Sequence, residues 1–286
     1  PFVLEDDRLR VAQAQATVLD TPVEARGTIT FGEKPQVDAY LSAGGVRLEG
    51  LAPYLETPLS LAGRVSVERI WVRGPTDDLH GGAHITAQQV AVGDETIGDL
   101  DATLSLARGR VQLQETSFAV GRGVVVVSGA YDTASDPDTI TARARLSHTA
   151  VPALLNLAVP IAEALDERPE RNRERLLLSL RSYALRLAGA VDGTVTVEGP
   201  VNAPTAVANV AGQELALDGR ALPQITAQGR VGKEAIHDLV LAARQGDALV
   251  NADGDIVFDG PISLNLEGTG IAMAQLRPWL RAKASL

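Results

Sequence analysis

The chain has 286 residues, 45% of them hydrophobic, a formal net charge of −10, only 3% aromatic residues and no cysteine. An acidic chain repels phosphate backbones and is not drawn to anionic bilayers, and scarce aromatics leave few platforms for stacking bases, so nucleic acid is excluded as an expected partner. The lack of cysteine removes disulfides, thiolate nucleophiles and Cys-based zinc sites, and no apolar run reaches the roughly 18 residues of a membrane span.

The chain opens at Pro1 without a Met or a basic leader, and reads as an interior piece of a longer protein. Residues 1–62 read as a partial β repeat that ends in a short helical turn at Gly50-Leu51-Ala52-Pro53-Tyr54-Leu55. Residues 63–155 read as a complete β repeat. Arg64-Val65-Ser66-Val67-Glu68, Thr103-Leu104-Ser105-Leu106 and Arg110-Val111-Gln112-Leu113-Gln114 each put aliphatic side chains on one face and polar ones on the other. That period of two is the pattern of a strand with one dry and one wet side. Gly93-Asp94, Arg108-Gly109, Asp218-Gly219 and Gln245-Gly246-Asp247 punctuate the runs as antiparallel turns.

Residues 156–188 break the alternation. Leu177, Leu180, Ala184 and Leu187 fall at helical spacing among arginines, which predicts an amphipathic helix stopped by Gly189. Residues 189–286 return to alternation as another β repeat, through Thr194-Val195-Thr196-Val197-Glu198, Glu214-Leu215-Ala216-Leu217-Asp218 and Ser263-Leu264-Asn265-Leu266-Glu267, and end in a short helical turn at Ala274-Gln275-Leu276-Arg277-Pro278-Trp279-Leu280.

The repeats share an offset. Gly74-Pro75 recurs 125 positions on as Gly199-Pro200, Gly129 as Gly254, and Leu155 as Leu280. Val11 to Gly27 resembles Val111 to Gly129, as a third, partial copy. Apolar positions match even where residues differ, so the side of the sheet is what repeats. Such units stack in one dimension without closing. The expected fold is therefore mainly β: an elongated antiparallel repeat sheet curled into a taco-like or U-shaped groove, with short helices between repeats and one helical insertion near 150–188.

Gly193-Thr194-Val195-Thr196-Val197-Glu198-Gly199-Pro200-Val201-Asn202-Ala203-Pro204, followed by Leu215 to Pro223, resembles the strand and turn of the TamB/AsmA-like family. The first copy departs from it, with extra residues over Arg69 to Arg73 that fit a bulge or a longer strand, and Leu79 in place of the proline. The resemblance implies a bridge-like lipid transfer protein, a component of a translocation and assembly module that serves outer-membrane biogenesis and protein secretion. It would be anchored in the inner membrane and cross the periplasm. The implied partners are phospholipid acyl chains and an Omp85-type outer-membrane barrel. It implies no catalytic residue and no cofactor.

On that expectation acyl chains lie along Val65, Val67, Leu104, Leu106, Val111 and Leu113 in the first full copy. In the second they lie along Val195, Val197, Leu215, Leu217, Ile225, Leu239, Leu241, Ile256, Phe258, Leu264 and Leu266. An ordinary dry core would use the same residue types. The alternative is thus a structural or adhesive β-repeat protein with a closed core that binds other proteins. A β-solenoid carbohydrate enzyme is a third possibility, but would need a carboxylate cluster that the sequence does not display.

The remaining polar motifs read as structure. His80 and His84 are separated by Gly81-Gly82 in a turn-and-strand context, which is unlike a helical metal pair. Asp6-Asp7, Asp77-Asp78, Asp94-Glu95 and Asp136-Pro137-Asp138 read as turns. Gly121-Arg122-Gly123 lacks the third glycine and the helix of a dinucleotide loop.

Overall fold

The computed structural model describes residues 2–51, 60–165, 178, 181–258 and 260–271. Alternating runs become strands and the Gly/Asp pairs become hairpin turns. The strands are β1 (Phe2–Glu5), β2 (Arg8–Val18), β3 (Thr21–Thr30), β4 (Gln36–Arg47), β5 (Leu61–Pro75), β6 (His80–Val92), β7 (Glu95–Ala107), β8 (Arg110–Val120) and β9 (Gly123–Asp132). They continue as β10 (Thr139–Ala150), β11 (Leu187–Pro200), β12 (Thr205–Leu217), β13 (Arg220–Ala221), β14 (Gln224–Val231), β15 (Ala235–Gln245), β16 (Ala248–Val257) and β17 (Ile262–Thr269).

All 17 belong to one sheet. Every strand pairs antiparallel with its neighbour in sequence, and β13 and β14 lie one after the other along β12. Among the described residues β1 pairs only with β2 and β17 only with β16, so the sheet does not close. Two-residue turns close several of the hairpins. Arg108-Gly109 and Asp218-Gly219 hold both residues at positive φ, 51° and 73° in the first and 52° and 74° in the second. This is the turn whose twist matches the strands it joins.

Bulges recur along the meander. β2, β4, β6, β8, β10, β12 and β15 each carry an extra residue opposite one on a partner strand. β5 carries extra residues too, at Glu68 and Arg69, and β7 carries one at Ile97. Each bends its strand and strengthens the local twist. Four of them place a non-glycine residue at positive φ: Gln89, His148, Glu214 and Asp238. At three, a carboxylate accepts the backbone N–H: Asp99 for Gln89 at 3.0 Å, Asp192 for His148 at 2.6 Å and Asp255 for Asp238 at 3.1 Å. The extra residues expected near Arg69 are also a bulge, since Glu68 separates the pairs Val67–Ile85 and Arg69–His84.

The helices α1 (Leu48–Leu51) and α2 (Val151–Leu165) interrupt the strands. Pro152 sits in the first turn of α2, where a missing N–H costs nothing. The expected boundary at 155/156 falls inside this single helix. Residues 181–186 are helical as expected, but β11 begins at Leu187. Gly189 does not stop a helix. It lies within β11 at φ 105°, and a Cβ there would meet the backbone oxygens of Gln213 and Glu214 at 2.7 Å, so the β12 bulge requires the glycine. Arg186 anchors the helical residues through two hydrogen bonds to the Asp218 carboxylate, at 2.9 and 2.7 Å. The rest of the insertion and the expected helical turn near Leu276 to Leu280 lie outside the described residues.

Among the described residues the buried hydrophobic cluster sits where α2 folds back on the sheet. Ala153 of α2 packs with Ala87, Val90, Ile97, Val120, Val125 and Leu146. Leu48 of α1 packs against the same cluster.

Candidate functional site: an uncovered aliphatic sheet face

In an antiparallel sheet, residues directly opposite one another project to the same side. The pairing therefore defines which side chains share a face. One row starts at Ala14 and passes through Ala25, Leu41, Ile70, Ala83, Leu104 and Leu113 to Gly129. It continues through Ala142, Val197, Ala206, Val231, Ile236 and Ile256 to Ile262. From β2 to β17 this row contains only aliphatic side chains and one glycine.

The neighbouring row faces the other way. It runs Arg26, Tyr40, Trp71, Gly82, Ser105, Gln112, Ala130, Thr141, Glu198 and Thr205. The sheet therefore has one apolar and one polar side over its whole width.

Leu104, Leu113, Val197 and Ile256 lie in the apolar row. Val65 and Val67 share its side through their partners Ala87 and Ile85. Leu106 faces Val111, Val195 faces Ala144, Ile225 faces Ala243 and Leu241 faces Ala227. Leu239 and Leu264 both oppose Gly254, and Leu266 opposes Ala252. The bulge at Glu214 keeps Leu215 on the side of Gly212, whose Cβ would collide with the Leu215 side chain, and Leu217 follows opposite Leu187. Phe258 lies just past the end of β16 and is half-buried.

No second sheet lies on this side among the described residues. Away from α2 many of its members are half-buried or exposed, with Val111 and Leu264 each 37% exposed and Leu266 70%, while the small Ala252 is buried at 7%. Under α2 the same side is dry, and Val120 is 0% exposed. A shallow depression of about 120 Å³ is lined by residues including Val72, Gly81, Leu104, Leu106 and Val111. Gly81 is required there, because a Cβ would stand 2.7 Å from the Trp71 carbonyl oxygen.

The charged chemistry lies on the polar side. His84 Nδ1 is 2.8 Å from Glu68 Oε2, and its Nε2 is 2.8 Å from Asp101 Oδ1. Hydrogen bonding to Glu68 and then Asp101 raises the imidazole pKa above its ordinary value. His80 and His84 both lie on β6. Four residues of strand set them about 13 Å apart, which is too far to share one ion. His80 instead stands 3.4 Å from Asp78. Arg73 bonds Asp38 at 3.1 Å, and the Arg186 guanidinium holds the Asp218 carboxyl below its usual range. Among the described residues no group of three His, Asp or Glu side chains is placed to hold a metal ion. Asp6-Asp7, Asp77-Asp78 and Gly121-Arg122 are turns between strands.

The sequence reading missed the carboxylates that hold the bulges. Their signal is an aspartate beside a glycine inside an alternating run, as in Gly98-Asp99, Asp192-Gly193 and Gly254-Asp255.

No protein-family profile, curated protein or solved structure matches this chain. Among the described residues no helix is long and apolar enough to cross a membrane.

Proposed function

We propose that the aliphatic side of the sheet is the interior of a hydrophobic β-groove along which phospholipid acyl chains travel, with headgroups left in water. The chain is then a segment of a periplasm-spanning, inner-membrane-anchored protein of the TamB/AsmA-like kind. It carries lipid between inner and outer membrane, supports outer-membrane assembly, and works with an Omp85-type barrel without catalysing a reaction. The observation that carries this reading is the row from Ala14 to Ile262, aliphatic but for Gly129, with no second sheet over it among the described residues. A face of this size needs an apolar partner, and acyl chains are one that can slide. Each methylene contributes only about 0.8 kcal/mol and exchanges one contact for an equivalent one further along.

Support for a repeated, curled trough comes from the backbone. β6, β8 and β9 begin at His80, Arg110 and Gly123, while β12, β15 and β16 begin at Thr205, Ala235 and Ala248, each 125 residues on. Unusual conformations recur at the same interval: φ 122° and 118° at Gly74 and Gly199, 61° and 60° at Gly121 and Gly246, and 52° and 49° at Gln89 and Glu214. Bulges on many of the strands bend the sheet repeatedly along its width.

A closed-core adhesive protein is favoured by one observation, the dry packing of α2 over Val120. Transfer of a fluorescent phospholipid between vesicles by the purified protein separates the two. Val197→Asp and Leu217→Asp should abolish transfer while far-ultraviolet circular dichroism stays unchanged. Folded variants that transfer normally contradict the groove, and unfolding of both supports the closed core.

A further inference from the structure

The polar side of the sheet carries a cavity of its own, of about 450 Å³, between two register irregularities. Ala12 and Gln13 of β2 oppose the single residue Arg26 of β3. Glu68 and Arg69 of β5 oppose the single residue Ser42 of β4. The added residues bend both strands and leave a hollow over the β3–β4 hairpin between them.

The charges in this hollow are unequally engaged. Of its two carboxylates, Glu24 accepts a hydrogen bond from Gln15 at 3.0 Å, and Glu68 lies 2.8 Å from His84. Its two guanidiniums have no such partners. Among the described residues neither Arg26 nor Arg69 makes an ion pair, and Arg26 instead lies 5.1 Å from the Tyr40 ring centroid. Two uncommitted arginines at one cavity are unexpected in a chain with a net charge of −10, which has carboxylates to spare. Stacking on Tyr40 restrains the Arg26 plane, and a planar guanidinium offers paired N–H groups matched to an oxyanion.

We propose that this cavity binds a phosphate group, held by Arg26 and Arg69, with the Ser42 hydroxyl and the Gln13 amide as further donors. Guanidinium-to-phosphate bonds are charge-assisted and two-pronged, which gives geometric selectivity over a halide. At the rim, Glu68 Oε2 is engaged by His84 Nδ1 at 2.8 Å rather than facing the arginines alone. The site lies on the side opposite the aliphatic row and stands whether or not lipid rides there.

Calorimetric titration of the full chain with inorganic phosphate tests the site. Saturable binding with a dissociation constant on the order of 1 mM is expected from a few charge-assisted bonds. Arg26→Ala and Arg69→Ala should each weaken it about tenfold, while Arg110→Ala, on β8, should not. Both arginines are exposed, and circular dichroism checks that the variants fold. Flotation with vesicles containing phosphatidic acid identifies the source of the group. Flotation lost in both variants assigns it to a lipid headgroup, and phosphate binding without flotation assigns it to a soluble phosphate. Absence of saturable binding, or equal binding by the Arg26→Ala/Arg69→Ala double variant, overturns the proposal.

Discussion

Gly129 on β9 stands so close to Thr141 on β10 that a Cβ on the glycine would come within 2.7 Å of the Thr141 carbonyl oxygen. The same relation holds at Gly27 and Gly254. A Cβ on Gly27 would approach the Asp38 oxygen to 2.6 Å, and one on Gly254 would strike that of Ser263. At this strand pair, adjacent backbones crowd together on the aliphatic side. Gly129→Ala should therefore destabilise the fold by about 1–3 kcal/mol through forced backbone movement, read as a lowered melting temperature. Gly44→Ala is the control. A Cβ at Gly44 meets nothing within 4 Å, so its effect should stay within about 0.5 kcal/mol.

The carboxylate of Asp192 accepts the His148 N–H at the β10 bulge. Asp192→Ala leaves that donor to solvent and removes the brace for a positive φ, so a loss of about 1 kcal/mol is expected by urea unfolding. Asp255→Ala, at the separate β15 bulge, should add to it independently, because the two bulges share no partner.

His84 links stability to pH. Its pKa is raised in the folded state by Glu68 and Asp101, above the ordinary value of 6.5. The stabilisation is fully present below pH 6.5 and is lost as pH rises through the folded-state pKa. Imidazole proton resonances should titrate above the ordinary value in the native chain. They should return towards it in Glu68→Gln and Asp101→Asn. Titration of native His84 at or below 6.5 would refute the arrangement.

The aliphatic side divides into a covered and an uncovered part. Val120, at 0% exposure under α2, should not tolerate aspartate, and Val120→Asp should unfold the chain. Leu266, at 70% exposure, should accept aspartate with a change of no more than about 0.5 kcal/mol. Proteolysis of the two variants under matched conditions distinguishes the outcomes.

Strand existence and facing were legible in the sequence because a period of two reports both at once. Thr194 to Glu198 and Ser263 to Glu267 place their valines and leucines on the aliphatic side without tertiary information. The bulges were not legible. Gln89, His148, Glu214 and Asp238 have no residue-type signature of positive φ, and the carboxylates at Asp99 and Asp192 come from neighbouring strands. Gly189 misled because glycine both stops helices and fits opposite bulges, and only the partner strand distinguishes these roles. The cavity on the polar side was equally hidden. Arg26 and Arg69 are distant in sequence, and both line it between the bulges on β2 and β5.

The central claim is that acyl chains occupy the aliphatic side. Its most direct test is site-specific photo-crosslinking with a benzophenone amino acid at Leu106 and, separately, at Ser105, adjacent residues on opposite sides of β7. Mass spectrometry of protein isolated from a Gram-negative envelope should find a phospholipid adduct at position 106 and none at 105. No adduct at either position, or equal adducts at both, would contradict the groove.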